Sequence, residues 1–87
     1  VYTIEWNGNN WAMGCDWNGN DFSNLKTGGE DCGPLCERTP ECSHFTWTDY
    51  NGGTCWMKKG KVKKSDAITS NSYFVCGIKS SKKIYIY

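Results

Sequence analysis

The sequence predicts a small α+β fold, a disulfide-rich module in which one short helix packs on a twisted antiparallel sheet. Three observations lead to this fold class. The chain has 87 residues, which suits one domain whose hydrophobic burial alone gives marginal stability. Its six cysteines form an even set at spacings that favour disulfides over a zinc site, with His44 the only histidine. Short alternating segments separated by Asn-Gly clusters indicate antiparallel strands.

Alternation of apolar and polar side chains places the strands. They are predicted, in order, at residues 1–6, 11–16, 22–26, 42–48, 54–58 and 73–78. Asn18 and Gly19 are typical of a tight hairpin turn between the second and third strands, and residues 49–53 of another turn. Within the second hairpin, Trp56 should face away from Cys55, because successive side chains alternate across a strand. Residues 59–72 are polar and are predicted to be a loop.

The stretch EDCGPLCERT predicts the helix. Its two acidic residues come first, where they favour a helix N-terminus. Cys32, Leu35 and Cys36 follow the i, i+3, i+4 spacing of one helical face. Because Pro34 is tolerated only in the first turn, the helix should begin near Asp31 or Cys32. The helix would then present two cysteines to the sheet beneath it.

The cysteine and hairpin pattern resembles that of the PAN/apple family of extracellular modules. Cys32 and Cys36 form the helical C-x3-C pair, the strand CSHFTW begins at Cys42, and GGTCWMK carries Cys55. The resemblance covers residues 11–78, and leaves residues 1–10 as an N-terminal strand extension and residues 79–87 as a C-terminal β-prone extension. It implies a secreted, non-catalytic module that binds proteins or carbohydrates.

The residues alone leave all 15 pairings of six cysteines open. The resemblance implies one of them: Cys32–Cys55, Cys36–Cys42 and Cys15–Cys76. The first two bridges would tie the helix to the hairpin. The third would tie the first core strand to the last and would close the longest loop, with a chain-entropy contribution of about 4 kcal/mol.

The chain offers little for catalysis, so we expect no enzyme activity, cofactor or metal. His44 is expected on a strand surface, without a free thiol or a third group to make it part of a nucleophilic site. The CGPLC stretch lacks the C-x-x-C spacing of redox proteins. DWNGND offers Asp16, Asn18 and Asp21 as a loose oxygen site, but it fails the calcium-loop pattern and favours a tight turn.

Exposed aromatics beside polar groups make a glycan the first candidate partner. Trp17, next to a turn, and Trp56 are the predicted aromatic ligand residues, and Trp47 is assigned to the core beside Phe45. The predicted ligand-binding set is Trp17, Asn18, Asp21, Trp56, Lys58, Lys59 and Lys61. Several of these are lysines, which also favour an anionic polysaccharide or an acidic protein face, although a solvated lysine face is the alternative.

Two further partners remain open. Residues 1–57 carry a formal charge of −6 and residues 58–87 of +7, which would suit attraction between copies or within one fold. A homo-oligomer or filament would use the terminal β-prone residues Tyr2, Ile4, Ile84, Tyr85 and Ile86, which could instead complete their own sheet. A secreted ligand or inhibitor that binds an extracellular protein is the third hypothesis.

Two other partners are not expected. Nucleic acid is not expected, because the net charge is only +1. A membrane span is not expected, because no apolar run is long enough to cross a bilayer.

Overall fold

A computed structural model describes residues 3–8 and 10–79. Its helix, α1, spans Gly29–Arg38. Its strands are β1 Trp11–Met13, β2 Cys15–Asp16, β3 Asp21–Lys26, β4 His44–Thr48, β5 Thr54–Lys58, β6 Ile68–Thr69 and β7 Val75–Ile78. Among these residues, no helix is both long and apolar enough to cross a membrane.

Five strands form one antiparallel sheet in the order β1-β7-β4-β5-β3, and β2 and β6 form a separate antiparallel pair. The β4–β5 hairpin lies near the middle, with Thr46 opposite Trp56 and Trp47 opposite Cys55. A turn at Tyr50–Gly52 joins the two strands. The predicted α+β fold, with one helix on an antiparallel sheet, is confirmed.

Helix α1 covers one face of the large sheet. Phe45 and Met57 lie buried beneath it. The disulfide Cys32–Cys55 joins the helix to β5, and Cys36–Cys42 joins it to the chain just before β4. The ring of Phe45 also occupies the position where a side chain at residue 77 would project, so a Cβ there would clash with Phe45 Cζ. Gly77 therefore lets β7 pack against this aromatic core.

A second core lies on the opposite face of the sheet. Its fully or almost fully buried members are Ala12, Cys15, Trp17 and Cys76, with Cys15–Cys76 linking β2 to β7. Residues 3–6 were predicted to be a strand and form none, yet Ile4 and Trp6 pack against this core. The side chains of residues 3–6 alternate between exposed and partly buried, as the sequence pattern predicts. Because these residues pair with no strand, the alternation reflects only the contact of Ile4 and Trp6 with the second core.

Two local predictions were wrong. The helix begins at Gly29, not near Asp31, so Pro34 lies in the second turn. Proline at that position supplies no N–H for the intrahelical bond to the carbonyl four residues earlier, a loss that the short, disulfide-held helix tolerates. Asn18 and Gly19 do not close a hairpin, because β2 pairs with β6, whereas β3 pairs with β5. The residues between β2 and β3 instead carry the chain from one sheet to the other, with Gly19 and Asn20 both at positive φ.

Candidate functional site

The face of the β4–β5 hairpin that points away from α1 is covered at one end and open at the other. At the covered end, His44 lies against the Trp17 ring and Thr46 donates a hydrogen bond to Asp16, and both residues are buried. The cover stops there, so Trp56 and Thr48 are only partly buried. The open end of this face is where a ligand can reach the sheet, and we call it the Trp56 face.

A hollow of about 320 Å³ lies on the Trp56 face. Trp56 Nε1 donates a hydrogen bond to Thr48 Oγ1 at 2.9 Å, which fixes the indole on the sheet. The Tyr50 ring lies 5.8 Å from the Trp56 ring between centroids, at an interplanar angle of 50°. Tyr50 is 58% exposed, so one fixed ring and one accessible ring stand at an angle to each other. The hollow is lined by Asp16, Asp21, Thr46, Thr48, Tyr50, Trp56 and Lys58.

The charged groups of the hollow already have ion-pair or hydrogen-bond partners within the protein. Lys58 is 4% exposed, and its Nζ forms an ion pair with Asp21 and donates to the carbonyl of Gly19 at 3.1 Å. Asp16 Oδ1 accepts a hydrogen bond from Thr46 Oγ1 at 2.7 Å. The two carboxylates therefore remain acceptors at the rim, while the ammonium is turned inward and neutralised.

A second hollow, of about 470 Å³, adjoins the first, because Tyr50 lines both. It is lined by Asn24, Lys26, Tyr50, Asn51 and Thr54. Lys26 Nζ donates to the carbonyl of Asn51 at 2.9 Å, which links β3 to the hairpin turn. The two hollows together give the Trp56 face a run of amides, hydroxyls and carboxylates around two aromatic rings.

His44 is fully buried, which corrects its expected place on the strand surface. Its Nδ1 lies 2.7 Å from Ser43 Oγ, and the Trp17 ring packs edge-on at 5.0 Å between centroids. Burial, followed by the nearby Lys58 charge, lowers the pKa of His44 from 6.5 to about 4, against a smaller opposing effect of Asp21. His44 is thus neutral at neutral pH, and its place beneath Trp17 keeps it from a ligand.

The structure brings three of the predicted ligand residues together in one hollow: Asp21, Trp56 and Lys58. Trp17 is not among them, and its prediction as an exposed aromatic was wrong. It is 3% exposed, and its Nε1 donates to the carbonyl of Phe45 at 3.1 Å. A turn next to a tryptophan does not expose it when the chain after β2 packs on the large sheet, where the Phe45 carbonyl of β4 accepts the indole N–H.

The remaining predicted residues lie apart from the hollow. Asn18 and Lys59 are exposed, and Lys59 Nζ stands 5.9 Å from the centre of the Phe22 ring. Lys61 lines a different depression, beside Ser43 and Val62. Of the residues predicted for self-association, Ile4 packs against the second core, while Tyr2, Ile84, Tyr85 and Ile86 lie outside the described residues.

Sequence reasoning missed most of the polar groups that accompany Trp56. Thr46 and Thr48 could have been found, because the hairpin register sets Thr46 opposite Trp56 and Thr48 opposite Thr54. Sequence reasoning considers Asp16 only as part of a loose oxygen site, and its contact with Thr46 joins β2 to β4 across 30 positions, which no local pattern predicts. In the described part of the chain, no cluster of three or more His, Cys, Asp or Glu side chains is placed to hold a metal ion.

The fold and this face define a small disulfide-bonded recognition module. The model of the PAN domain family matches residues 15–58, which span α1, the hairpin and the two disulfides of the helix. The chain belongs to the PAN domain family. Modules of this family bind proteins or carbohydrates and are generally non-catalytic, and three disulfides in a PAN domain are typical of extracellular proteins. No curated protein and no solved structure gives a significant match to the chain.

Proposed function

We propose that this chain is a secreted, non-catalytic module that binds neutral glycans at the Trp56 face. The observation that carries the proposal is the pair of tilted aromatic rings, Trp56 and Tyr50, in a hollow lined by carboxylates and hydroxyls. Sugars present apolar C–H faces and hydroxyl edges, so they need an aromatic surface together with hydrogen-bond acceptors. The hollow offers both within one short hairpin and its neighbours.

The way the indole is held supports ligand stacking. Its Nε1–H is satisfied by Thr48, so the exposed part of the ring carries no unpaired polar group. The ring also lies on a strand between two hydrogen-bonded neighbours, β3 and β4, which limits its movement. A ligand that stacks there loses little free energy to ordering the protein, as expected of a pre-organised site.

The charges favour a neutral glycan over an acidic one. Asp16 and Asp21 line the hollow, and the buried ammonium of Lys58 is neutralised by Asp21. A uronic or sulfated sugar would bring a further negative charge beside two carboxylates, at a Coulomb cost. Lys59 and Lys61, the lysines that suggested an anionic ligand, do not line the hollow.

The second hollow supports a ligand longer than one sugar unit. It shares Tyr50 with the first and adds the amides of Asn24 and Asn51, which can donate and accept hydrogen bonds. On this proposal an oligosaccharide crosses Tyr50, with one unit beside Trp56 and the next beside the Asn24 amide.

A glycan array with the purified, oxidised chain tests the proposal. We expect neutral oligosaccharides among the bound glycans and no preference for sulfated or uronic ones. For the best array glycan, Trp56→Ala should weaken binding by at least about tenfold, because the stacking surface is lost. Trp11→Ala is the matched control: Trp11 is 43% exposed but lines a separate groove, so binding should change less than about twofold.

Two outcomes would overturn the proposal. The first is an array without bound glycans, at high protein concentration and with a folded chain confirmed by circular dichroism. The second is equal weakening by Trp56→Ala and Trp11→Ala.

A further inference from the structure

An apolar groove of about 570 Å³ lies on the helix side of the sheet, away from the Trp56 face. Helix α1 approaches the Phe45 ring closely at Gly33, where an added Cβ would lie 3.4 Å from the ring. Its outer wall is formed by Trp11 and Met13 of the edge strand β1, which are 43% and 45% exposed. The groove is lined by Asn10, Trp11, Met13, Gly29, Glu30, Gly33, Pro34, Glu37, Phe45, Val75 and Ile78.

The groove runs alongside β7 and has two distinct ends. Gly29, at the start of α1, lies against Trp47, which pairs with Val75 at the start of β7. Gly33, one turn later, lies against Phe45, which pairs with Gly77. Helix α1 and β7 therefore run in the same direction, so Glu30 and Val75 mark one end of the groove, and Glu37 and Ile78 mark the other.

The chain leaves the sheet at the Glu37 end. Lys79 N donates to the carbonyl of Ser43 at 2.7 Å, and Lys79 Nζ donates to the carbonyl of Thr39 at 2.9 Å. Thr39 is the residue that caps the C-terminus of α1. Lys79 itself lines a neighbouring depression, but it follows Ile78, which lines both, and it contacts the same end of α1 that carries Glu37. Residues 80–87, which lie outside the described residues, follow from this end of the groove.

The sequence of residues 80–87 matches the groove in length and chemistry. After two serines and two lysines come four apolar or aromatic residues, Ile-Tyr-Ile-Tyr. Four residues in extended form equal the four of β7, about 10 Å from first to last Cα, which is the stretch that the groove follows. The lysines would pass the end of the groove that carries the Glu37 carboxylate, so charges as well as apolar surfaces correspond.

We propose that this groove is the docking site for the chain's own C-terminal residues 82–87. Eight residues beyond Lys79 can reach up to about 26 Å, enough to enter at Glu37 and run back to Val75. Docking covers Trp11 and Met13 with Ile84 and Ile86. Because the segment is tethered at the entrance, its effective concentration exceeds that of a second copy. The proposal is independent of glycan binding, which uses the other face of the sheet.

Comparison of the full chain with a chain ending at Lys79 is the first test. Removing residues 80–87 should shift the NMR signals of the Trp11 indole N–H and the Met13 methyl, while those of Trp56 stay in place. A synthetic peptide of residues 79–87, added to the shortened chain, should return the Trp11 and Met13 signals toward their full-chain positions. If shortening the chain leaves both signals unmoved, the proposal fails.

A pair of matched variants separates the groove from general stickiness of the peptide. Met13→Lys in the shortened chain should weaken peptide binding by about tenfold, because it removes apolar contact and adds repulsion toward the two lysines. Leu25→Lys makes the same substitution at a 52% exposed residue on the opposite edge strand, β3, and should leave affinity within about twofold. Equal weakening by both variants would overturn the proposal.

A mixed-label experiment on the full chain distinguishes the two possible origins of the segment. Nuclear Overhauser contacts between Ile84 or Ile86 and Met13 should arise within one chain at every concentration. Contacts found only between labelled and unlabelled copies would contradict the proposal and assign the groove to a second copy.

Discussion

The two faces of the β4–β5 hairpin are formed by the same ten residues, but they differ in how fully the rest of the chain covers them. Toward α1, Phe45, Cys55 and Met57 are sealed by the helix and its disulfides. On the other side, His44 is buried against the Trp17 ring and Thr46 is buried beside it, while Trp56, opposite Thr46, and Thr48, two positions further, remain partly accessible. The first face is covered by α1, which lies just before the hairpin in the sequence. The second face is covered only where the residues around Trp17, far earlier in the sequence, pack on it. The candidate functional surface is the part of this face that the residues around Trp17 leave uncovered.

Removing a disulfide from each face should produce the largest effects on stability. Cys15–Cys76 holds the residues around Trp17 and spans 61 residues, whereas Cys36–Cys42 on the helix side spans 6. Replacing both cysteines of the first bridge with alanine should lower the free energy of unfolding by about 4 kcal/mol, and the same change in the second by about 2 kcal/mol. Denaturant unfolding of the two double variants measures both values.

All four of these cysteines are buried, so burial does not by itself predict the order. If removing Cys36–Cys42 lowers the free energy of unfolding more than removing Cys15–Cys76, the long-range bridge is not the larger source of stability and the comparison of the two faces fails.

Lowering the pH should reduce the free energy of unfolding through His44, which is buried on the face opposite α1. The pKa of His44 is lowered to about 4, first by burial and then by the Lys58 charge, so the unfolded chain takes up this proton at higher pH than the folded one. The stabilisation is complete above about pH 6.5 and is lost as the pH falls toward 4, by roughly 3 kcal/mol.

His44→Gln provides the control for the carboxylates that titrate in the same range. Unfolding free energies of wild type and variant, measured between pH 7 and about 4, should converge as the pH falls. A difference that stays constant with pH would contradict the assignment to His44.

The ion pair beneath the hollow should respond unequally to loss of either partner. Asp21→Asn leaves the ammonium of Lys58 buried without its counter-charge and should cost about 1 to 2 kcal/mol; the half-exposed Asp21 side chain keeps this below the cost for a fully buried pair. Lys58→Met returns Asp21 to solvent and should cost less than about 1 kcal/mol. Thermal unfolding of the two variants measures the contrast, and a larger cost for Lys58→Met would reverse it.

Salt should have the smallest effect. Because Lys58 in the first hollow is neutralised by Asp21 and Lys26 in the second is bound to the Asn51 carbonyl, affinity for a neutral glycan should change less than about twofold between 50 and 500 mM NaCl. Isothermal titration at the two salt concentrations measures this. A steep fall in affinity would favour an anionic ligand held by the exposed lysines.

The sequence predicted the helix side of the molecule well, because local rules govern it. Helical spacing placed Cys32 and Cys36 on one face, and strand alternation placed Phe45 toward them. Opposite the helix, alternation predicted only that His44 and Thr46 face away from α1. His44 is buried against Trp17 and Thr46 is bonded to Asp16, two residues that lie about 30 positions earlier and pack there through β2 and Cys15–Cys76. Such long-range cover leaves no periodic pattern in the sequence.

The candidate site was predictable to the same extent. Trp56 and Lys58 follow from the alternation of one strand, and the register of the hairpin adds Thr46 and Thr48. Asp16 bonds to Thr46 from β2, and β2 pairs with β6, which lies in a stretch predicted to be a loop. Two-residue strands of this kind carry too few positions for a period to be recognised.

An NMR titration of the labelled chain with its best array glycan tests the central claim most directly. The account predicts that the largest shifts fall on the Trp56 indole N–H and on the amides of Tyr50 and Thr48, with Trp11 and Met13 unchanged. Largest shifts at Trp11 and Met13, with the Trp56 signal unmoved, would contradict it.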